Sequence, residues 1–202
     1  MNLYQMQDSG NCYKPRLLAH LLDINLKLID VDILKGESRT ADFLAKNPNG
    51  RTPTLELGDG RYLAESDAML FYMAEGTPFW PEDRLARAQV LQWMFFEQYS
   101  HEPYIAVARF WKVIAPDCPP AMQSRFPEWH KKGYAALDVM ETHLTGKRHF
   151  VNDAYTIADI ALYAYTHKAP DGGFDLANYP NIRNWLTRIE AHPRHISMEA
   201  RI

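Results

Sequence analysis

The fold is decided by residues 2–32, which read NLYQMQDSGNCYKPRLLAHLLDINLKLIDVD. Residues 2–6 form a short run with β character, a turn of small polar residues follows at 8–11, and the stretch 17–22 is apolar and helical in character. Residues 26–32 then alternate in polarity well enough for a second strand. A strand-helix-strand unit of this length favours a parallel pair of strands with a right-handed connection.

The next segment predicts two antiparallel strands and a helix. Residues 54–57 and 61–63 flank Gly58-Asp59-Gly60, and these three residues tolerate the positive φ angles of a tight hairpin. Ser66 follows at a position where a hydroxyl can cap a helix, and the residues after it place apolar side chains on one face. The order is therefore βαβ followed by ββα.

A linker and an all-helical half come next. Residues 76–81 read GTPFWP, in which two prolines and a glycine interrupt regular structure. Beyond them no strand pattern recurs. Helical periodicity covers residues 85–111, 122–144, 156–166 and 182–190. We therefore expect an N-terminal domain at 1–76, a linker at 77–84 and an all-helical domain at 85–202.

Composition and charge disfavour several classes of protein. The 202 residues include 22 Lys and Arg against 25 Asp and Glu, a net charge of −3, and they contain no basic block of the kind that nucleic-acid binding requires. The first residues lack a basic segment followed by an apolar one, and no apolar run of about 18 residues occurs, so we expect no signal peptide and no contact with a membrane. Cys12 and Cys118 are too few for a disulfide scaffold, which favours a cytoplasmic location.

Three short segments could carry chemistry, and the first is Ser9-Gly10-Asn11-Cys12 at the start of the first helix. A helix N-terminus offers unpaired N–H donors and partial positive charge, which stabilise a thiolate or a phosphate. The spacing Ser-x-x-Cys corresponds to the Cys-x-x-Cys of thioredoxin-like redox proteins with one sulfur replaced, and this excludes dithiol chemistry at the pair. The alternative interpretation is a helix cap without further function.

The second segment is 47–54, in which Pro53 opens a strand. Proline removes a ladder donor, so the neighbouring backbone could pair with a peptide ligand instead. From composition alone the bond before Pro53 is expected to be trans, and a simple turn into the strand is the alternative. The third segment, Ala64-Glu65-Ser66-Asp67, could hold an α-carboxylate at a helix N-terminus and an ammonium group at Glu65. A cap beside a solvated acid is the alternative there.

In this order and spacing, the segments resemble the cytosolic glutathione transferases, of the bacterial type with serine at the catalytic position. The resemblance is carried by SGNCYK at 9–14, NPNGRTPTL at 47–55, LAES at 63–66 and TIAD at 156–159, and it runs across nearly the whole chain. It implies an α/β N-terminal domain of thioredoxin-like fold, βαβ then ββα, followed by an all-α C-terminal domain. It also implies glutathione as co-substrate and a homodimer.

The resemblance assigns roles to individual residues. Ser9 would hydrogen-bond the glutathione sulfur, and Thr52, before a cis Pro53, would pair its backbone with the cysteinyl unit. Glu65 and Ser66 would hold the γ-glutamyl end. The basic residue that meets the glycine carboxylate would be Lys35, with Arg39 and Arg51 as alternatives.

The second substrate is expected between the domains, against the first long helix of the C-terminal half. His101, Tyr104 and Trp111 recur there at helical spacing and could form a wall with aromatic surface and one titratable group. Helix packing is the alternative interpretation. The sequence His101-Glu102-Pro103-Tyr104-Ile105 lacks the second histidine of a zinc-binding helix, so we expect no metal there.

The expected function is activation of the glutathione thiol as a thiolate that attacks small, largely apolar electrophiles, as in detoxification. We favour Ser9 over Cys12 as the activating side chain, because Ser9 lies at the exit of the first strand whereas Cys12 should point into the first helical turn. Two other outcomes stay open. One is a non-catalytic glutathione-fold binding or regulatory protein, and the other is a glutathione-dependent isomerase, dehalogenase or peroxidase.

Overall fold

The structure is a computed structural model that describes residues 1–115 and 117–201. The chain divides into two compact units. One unit contains Met1–Glu75 together with the end of the chain from Pro193 onward, and the other contains Gly76–His192.

The N-terminal unit is built on a mixed sheet. Its main elements are β1 (Asn2–Gln5), α1 (Gly10–Leu21), β2 (Lys27–Asp30), α2 (Ala41–Leu44), β3 (Thr54–Glu56), β4 (Tyr62–Ala64) and α3 (Ser66–Ala74). The strand order is β2-β1-β3-β4. β1 and β2 pair in parallel, as expected for strands joined through a helix, and the other two pairings are antiparallel. The predicted βαβ and ββα order and the hairpin at residues 58–60 are confirmed.

The core of this unit lies on one face of the sheet. Leu3 of β1 and Leu55 of β3 point to that face, while Leu17 and Leu18 of α1 and Leu70 of α3 cover it, and all five side chains are fully buried. α1 and α3 pack against each other over this core. The alternation in the strands and the apolar run at 17–22 are therefore the features that fix the arrangement of the layers.

Two short elements between β2 and β3 carried no clear signal in the sequence. Glu37–Arg39 form one turn of 3₁₀ helix, and α2 follows directly. Thr40 caps α2, because its hydroxyl accepts a hydrogen bond from the Phe43 amide at 3.3 Å. A four-residue helix is too short to show apolar periodicity, which explains why the sequence did not indicate it.

The C-terminal unit is helical, as predicted. Its elements are α4 (Arg84–Phe96), a π-helical turn (Glu97–His101), α5 (Glu102–Arg109), a second π-helical turn (Phe110–Ile114), α6 (Pro120–Gln123), α7 (Phe126–His143), α8 (Ile157–Thr166), a 3₁₀ turn (Ala169–Gly172) and α9 (Pro180–Glu190). The stretch expected as one helix at 85–111 is thus a continuous helical path from 84 to 114 that widens twice. No helix in the described part of the chain is long and apolar enough to span a membrane.

α8 lies in the core of this unit and begins at a carboxylate with several buried donors around it. The wholly buried Asp159 accepts hydrogen bonds from the backbone and hydroxyl of Thr156, at 2.9 and 3.1 Å. It also accepts from the Phe150 amide at 3.2 Å and from Trp185 Nε1 at 2.9 Å, and His149 Nδ1 lies 3.3 Å away. The predicted capping motif therefore also anchors two neighbouring segments.

The end of the chain lies elsewhere than expected. We expected residues 85–202 to form one helical domain, whereas the segment from Pro193 onward belongs to the N-terminal unit. This segment has no helical periodicity, and its backbone carbonyls accept hydrogen bonds from the Gln7 and Tyr13 side chains. Contacts made through carbonyl oxygens leave no pattern in the sequence of the segment that provides them.

Candidate functional site

The three segments that the sequence singled out meet at one edge of the N-terminal sheet. β3 runs antiparallel to β1, and β4 runs antiparallel to β3, so the end of β1, the start of β3 and the end of β4 lie on the same side. Thr54 pairs directly with Tyr4 on one side and with Ala64 on the other. Sheet topology thus brings together residues that are 50 to 60 positions apart in the chain, such as Tyr4 with Thr54 and Ala64.

Ser9 is the first of the predicted site residues, and it caps α1. Its backbone is extended (φ −85°, ψ 124°), and its Oγ accepts a hydrogen bond from the Cys12 amide at 3.3 Å. Ser9 is half-buried. A hydroxyl has one hydrogen and two lone pairs, so the capping bond uses a lone pair, and the hydrogen can turn either to the Cys12 thiol or to an acceptor in front of the helix. The N-terminal end of the helix dipole adds positive potential at the same place.

Cys12 lies behind Ser9 and is wholly buried. Burial raises the pKa of its thiol, although hydrogen bonds from the Met6 amide, Ser9 and Thr52 and the charge of Arg16 act in the opposite direction. The Met6 amide lies 3.3 Å from Cys12 Sγ. A covered thiol of raised pKa is a poor nucleophile at neutral pH, because the thiolate is the reactive form.

The loop that leads into β3 is shaped by Asn47, which is almost completely buried. Its Nδ2 donates to the Arg51 carbonyl at 2.8 Å and to Thr54 Oγ1 at 3.1 Å, so one side chain joins both ends of the loop. The peptide bond between Thr52 and Pro53 is cis. Composition alone favoured trans, whereas the family resemblance implied this cis bond. Thr52 is half-buried and lies within hydrogen-bonding reach of Cys12.

Glu65 and Ser66 form the third part of the site. Glu65 is exposed and has a left-handed backbone (φ 66°), an uncommon conformation for a residue other than glycine. Ser66 is the first residue of α3 and is buried, with its Oγ 3.5 Å from Asn11 Oδ1. The prediction that Ser66 caps α3 is wrong, because Glu65 occupies the cap position and makes no side-chain capping bond. The first amide groups of α3 therefore lack a side-chain acceptor at that position.

An ion pair that the sequence did not indicate joins α1 to α3 near their N-terminal ends. Lys14 Nζ lies 2.9 Å from Asp67 Oδ1, and the Lys14 side chain is wholly buried. A lysine so close to the apolar run at 17–22 could have signalled a buried partner, since a charge inside a protein is almost always paired. The sequence did not show which acid it would be.

The three basic candidates for a carboxylate contact differ in their surroundings. Lys35 is exposed and forms an ion pair with Asp32 at 3.0 Å, next to the end of β2. Arg39 donates from Nη1 to the Asn49 carbonyl at 2.9 Å, so it lies against the loop that carries the cis bond. Arg51 lies in that loop and is exposed.

Family models match both parts of the chain. The model of the glutathione S-transferase N-terminal domain matches residues 8–75, and that of the C-terminal domain matches residues 93–193. The chain belongs to the glutathione S-transferase family. The N-terminal match covers all three site segments of this family member.

Solved structures and a curated relative agree with this membership. A glutathione S-transferase from Pseudomonas fluorescens Pf-5 is 52% identical, with 98% of each chain covered and a TM-score of 0.94. A protein from Rhodopseudomonas palustris, described as a possible glutathione S-transferase, is 50% identical over 100% of this chain and 98% of its own, with a TM-score of 0.97. The disulfide-bond oxidoreductase YfcG of Escherichia coli K12 is 29% identical over 91% of this chain and 87% of its own.

The three residues expected at the second substrate lie in or near α5. His101 is wholly buried, and its Nε2 lies 2.9 Å from the Thr166 hydroxyl of α8, so in this glutathione S-transferase it is a core residue of the helical unit. The helix-packing interpretation holds for it. Tyr104 and Trp111 are half-buried, and the Lys132 ammonium lies 5.1 Å from the Tyr104 ring centroid.

Among residues 1–115 and 117–201, no cluster of three or more His, Cys, Asp and Glu side chains could hold a metal ion. Both cysteines are buried and unpaired with each other.

Proposed function

We propose that this protein is a glutathione transferase, which binds glutathione along the sheet edge and activates its thiol for attack on small, largely apolar electrophiles. The observation that supports this most strongly is the meeting of Ser9, Thr52 and Ser66 at one edge, with the N-termini of two helices beside them. Glutathione carries an anionic carboxylate at each end and a thiol between them. Helix N-termini and exposed cations suit such a ligand.

Ser9 is the proposed catalytic residue. A thiol has a pKa near 8.5, so only a few per cent is thiolate at pH 7. Donation from the Ser9 hydroxyl, supported by the dipole of α1, would lower that pKa by about two units, or about 2.7 kcal/mol. The thiolate would then form a bond to an electrophilic carbon, with departure of a leaving group or with protonation of an adjacent carbon.

The rest of the tripeptide would be held on either side of Ser9. We assign the γ-glutamyl end to Glu65 and Ser66, and the cysteinyl backbone to Thr52 before cis Pro53. At the glycine end we keep Lys35 as a candidate, but the contact of Arg39 with the loop favours Arg39 for the carboxylate. Arg–carboxylate pairs are often bidentate, which adds geometric specificity.

Tyr104 and Trp111 are the proposed contacts for the second substrate. Both are half-buried and aromatic, so they offer apolar surface to an electrophile. His101 is left out of this proposal because its imidazole lies inside the helical unit.

The E. coli relative supplies a second candidate function, since it is named a disulfide-bond oxidoreductase. A glutathione thiolate beside Ser9 could attack one sulfur of a disulfide, form a mixed disulfide and release the other sulfur as a thiolate. This reaction starts from the same site and differs from conjugation only in the second substrate.

We also propose a homodimer in the cytoplasm. Each unit exposes large aromatic side chains, Phe71 and Tyr72 in the N-terminal unit and Phe95 and Tyr99 in the C-terminal one, with Tyr99 84% exposed. Exposed aromatic surface of this kind is typical of subunit interfaces. Sedimentation equilibrium at micromolar concentration should give about twice the 23.4 kDa of one chain, and Tyr99→Glu should shift it towards one chain. A parent mass of one chain would contradict the dimer.

The proposed function is tested by a turnover screen of the purified protein with and without glutathione. The panel contains aryl halides, enals, maleyl compounds, organic hydroperoxides and a small disulfide. Conjugation that requires glutathione supports the transferase. Turnover confined to the maleyl compounds, the hydroperoxides or the disulfide would identify an isomerase, a peroxidase or an oxidoreductase instead. Glutathione binding without turnover would indicate a binding protein. Absence of glutathione binding by calorimetry would contradict both the transferase and the binding protein.

A further inference from the structure

The end of the chain runs along α1. We call residues 193–201 the C-terminal strap. At one end of α1, Arg194 donates to the His20 carbonyl at 3.0 and 3.1 Å and to Asp23 Oδ1 at 2.9 Å. In the first turn of α1, the Tyr13 hydroxyl donates to the Ile196 carbonyl at 2.5 Å. The strap therefore runs from the C-terminal end of the helix towards the end that carries Ser9.

At that second end, the strap contacts the turn between β1 and α1 through Gln7. Gln7 Nε2 donates to the Met198 carbonyl at 2.8 Å and to the Ala200 carbonyl at 3.2 Å. Met198 is itself 2% exposed, so this part of the strap is packed into the unit. Gln7 lies two residues before Ser9, and the Ser9 amide donates to the Met6 carbonyl at 3.2 Å within the same turn.

Arg16 of α1 contacts both the β1–α1 turn and the C-terminal strap. Its Nη2 donates to the Gln7 carbonyl at 2.8 Å, and its Nη1 lies 3.3 Å from the Ala200 carbonyl. The Arg16 side chain is wholly buried, and Nε has no hydrogen-bond partner among the described residues. Burying a guanidinium whose hydrogen-bond partners are carbonyl oxygens costs desolvation free energy that no opposite charge offsets directly. Such costly buried groups occur mainly at functional sites.

We propose that Gln7 and Arg16 are positioning residues for thiol activation, because together they clamp the β1–α1 turn to the C-terminal strap and so hold Ser9 in place. Gln7 is held from two directions: Arg16 binds its backbone carbonyl, and the strap binds its side-chain amide. The Ser9 hydroxyl must lie within a few tenths of an ångström of its working position to donate to a sulfur. A loosened turn would leave glutathione bound and its thiol less ionised.

The proposal rests on the proposed function for its catalytic part, but the position of Ser9 can be read without glutathione. The Cys12 amide lies in the first turn of α1, and its hydrogen-bond acceptor is Ser9 Oγ. Hydrogen exchange of this amide, measured by NMR on the full chain without ligand, therefore reports how firmly Ser9 is held. The second readout is the pKa of bound glutathione, from thiolate absorbance against pH.

Two variants disturb the contacts of Gln7 and Arg16 with the strap and leave the net charge of the protein unchanged. Gln7→Met removes the donors to the strap from a half-buried position, and Arg16→Lys keeps a positive charge that cannot span both carbonyls as the guanidinium does. The matched control is Arg194→Gln. It cuts the strap at the other end of α1, about 16 Å from Ser9 at 1.5 Å per residue.

We expect Gln7→Met to speed exchange of the Cys12 amide at least tenfold and to raise the bound-thiol pKa by about half a unit or more, which is about a threefold fall in the acid dissociation constant of the thiol. The KM for glutathione should stay within twofold, and kcat should recover at high pH, where the thiol ionises unaided. Arg16→Lys should act in the same direction, and Arg194→Gln should leave both readouts at the parent values. If Arg16→Lys does not fold, Gln7→Met alone decides.

Parent-like exchange and parent-like pKa in Gln7→Met would overturn the proposal. An equal effect of Arg194→Gln would do so too, since it would show a general loosening of the strap. If the parent protein binds no glutathione, the proposed function fails, but the exchange rate of the Cys12 amide still decides whether the strap holds Ser9. Faster exchange in Gln7→Met than in Arg194→Gln supports the proposal, and equal rates in the two variants contradict it.

Discussion

Lys14 Nζ lies 2.9 Å from Asp67 Oδ1, and this pair joins α1 to α3 inside the N-terminal unit. Asp67 directly follows Ser66, and Lys14 lies one helical turn beyond Asn11, whose Oδ1 is 3.5 Å from Ser66 Oγ. The N-termini of the two helices are therefore fixed with respect to each other. This ion pair, together with the packing of α1 against α3, thus holds the proposed sulfur site and the proposed γ-glutamyl site at a fixed separation.

The first prediction concerns the γ-glutamyl end. Glu65→Ala should weaken glutathione binding by about 2 kcal/mol, near thirtyfold, because the ligand ammonium loses its charged partner. Titration calorimetry measures the change. Glu75→Ala, which removes an exposed acid at the other end of α3, serves as the control and should leave the affinity as it is. Parent-like affinity in Glu65→Ala would move the site elsewhere.

The second prediction separates the basic candidates at the glycine end. Arg39→Ala should weaken glutathione binding about tenfold, or about 1.4 kcal/mol, and Lys35→Ala less than twofold, because Lys35 is exposed and already paired with Asp32. Affinities for glutathione and for its glycine monoethyl ester are compared. The ester lacks the carboxylate charge, so parent and Arg39→Ala should bind it alike. A larger loss in Lys35→Ala would restore the role that the resemblance implied.

The third prediction concerns folding. A cap alone would contribute about 1 to 2 kcal/mol, but Asp159 also accepts hydrogen bonds from Phe150 and Trp185 in the core. Asp159→Ala leaves these buried donors unpaired, so we expect a loss of about 3 to 5 kcal/mol in the free energy of unfolding. Denaturant unfolding measures it. Asp175→Ala removes one exposed acceptor, that of the Ala177 amide, and should cost less than about 1 kcal/mol. Equal midpoints in the two variants would refute the structural role of Asp159.

The elements that the sequence predicts are those whose signal is local. The alternation at 26–32 indicates β2, Gly58-Asp59-Gly60 indicates the hairpin, and the TIAD motif indicates the start of α8. Relationships that span the chain are not visible in this way. Lys14 and Asp67 are 53 residues apart, and either could have had another partner. The strap binds partly through its carbonyl oxygens, which every residue carries, and partly through the Arg194 side chain, whose partners His20 and Asp23 lie more than 170 residues earlier.

The same difference between local signals and contacts that span the chain applies to individual site residues. Ser9, Thr52 and Ser66 could be found because each lies in a short motif at a predicted strand end. Gln7 and Arg16 could not, because their partners Met198 and Ala200 lie at the other end of the chain. His101 was misplaced for a physical reason: helical spacing shows that residues share a face, but it does not show whether that face meets a cavity or another helix.

Ser9 is the proposed activator of the thiol, and the alternative is Cys12. Ser9 caps α1 through a lone pair of its hydroxyl, so its hydrogen can turn to a ligand sulfur, whereas the Cys12 thiol is wholly buried with its pKa raised by burial. Removing Ser9 Oγ takes away the donor to sulfur, while Cys12→Ala removes a covered thiol behind it. The two single substitutions lie three residues apart in the same turn, so each controls for the other.

The most direct measurement is the pKa of bound glutathione, read from thiolate absorbance against pH, in the parent protein and in both variants. The proposed role of Ser9 predicts that Ser9→Ala raises that pKa by one to two units, a ten- to hundredfold fall in the acid dissociation constant or about 1.4 to 2.7 kcal/mol, and lowers conjugation at pH 7 by about three- to twenty-fivefold through the smaller thiolate fraction, while Cys12→Ala changes neither. A parent-like pKa in Ser9→Ala, with loss of activity in Cys12→Ala and a mass showing glutathione attached to Cys12 in the parent, would contradict it.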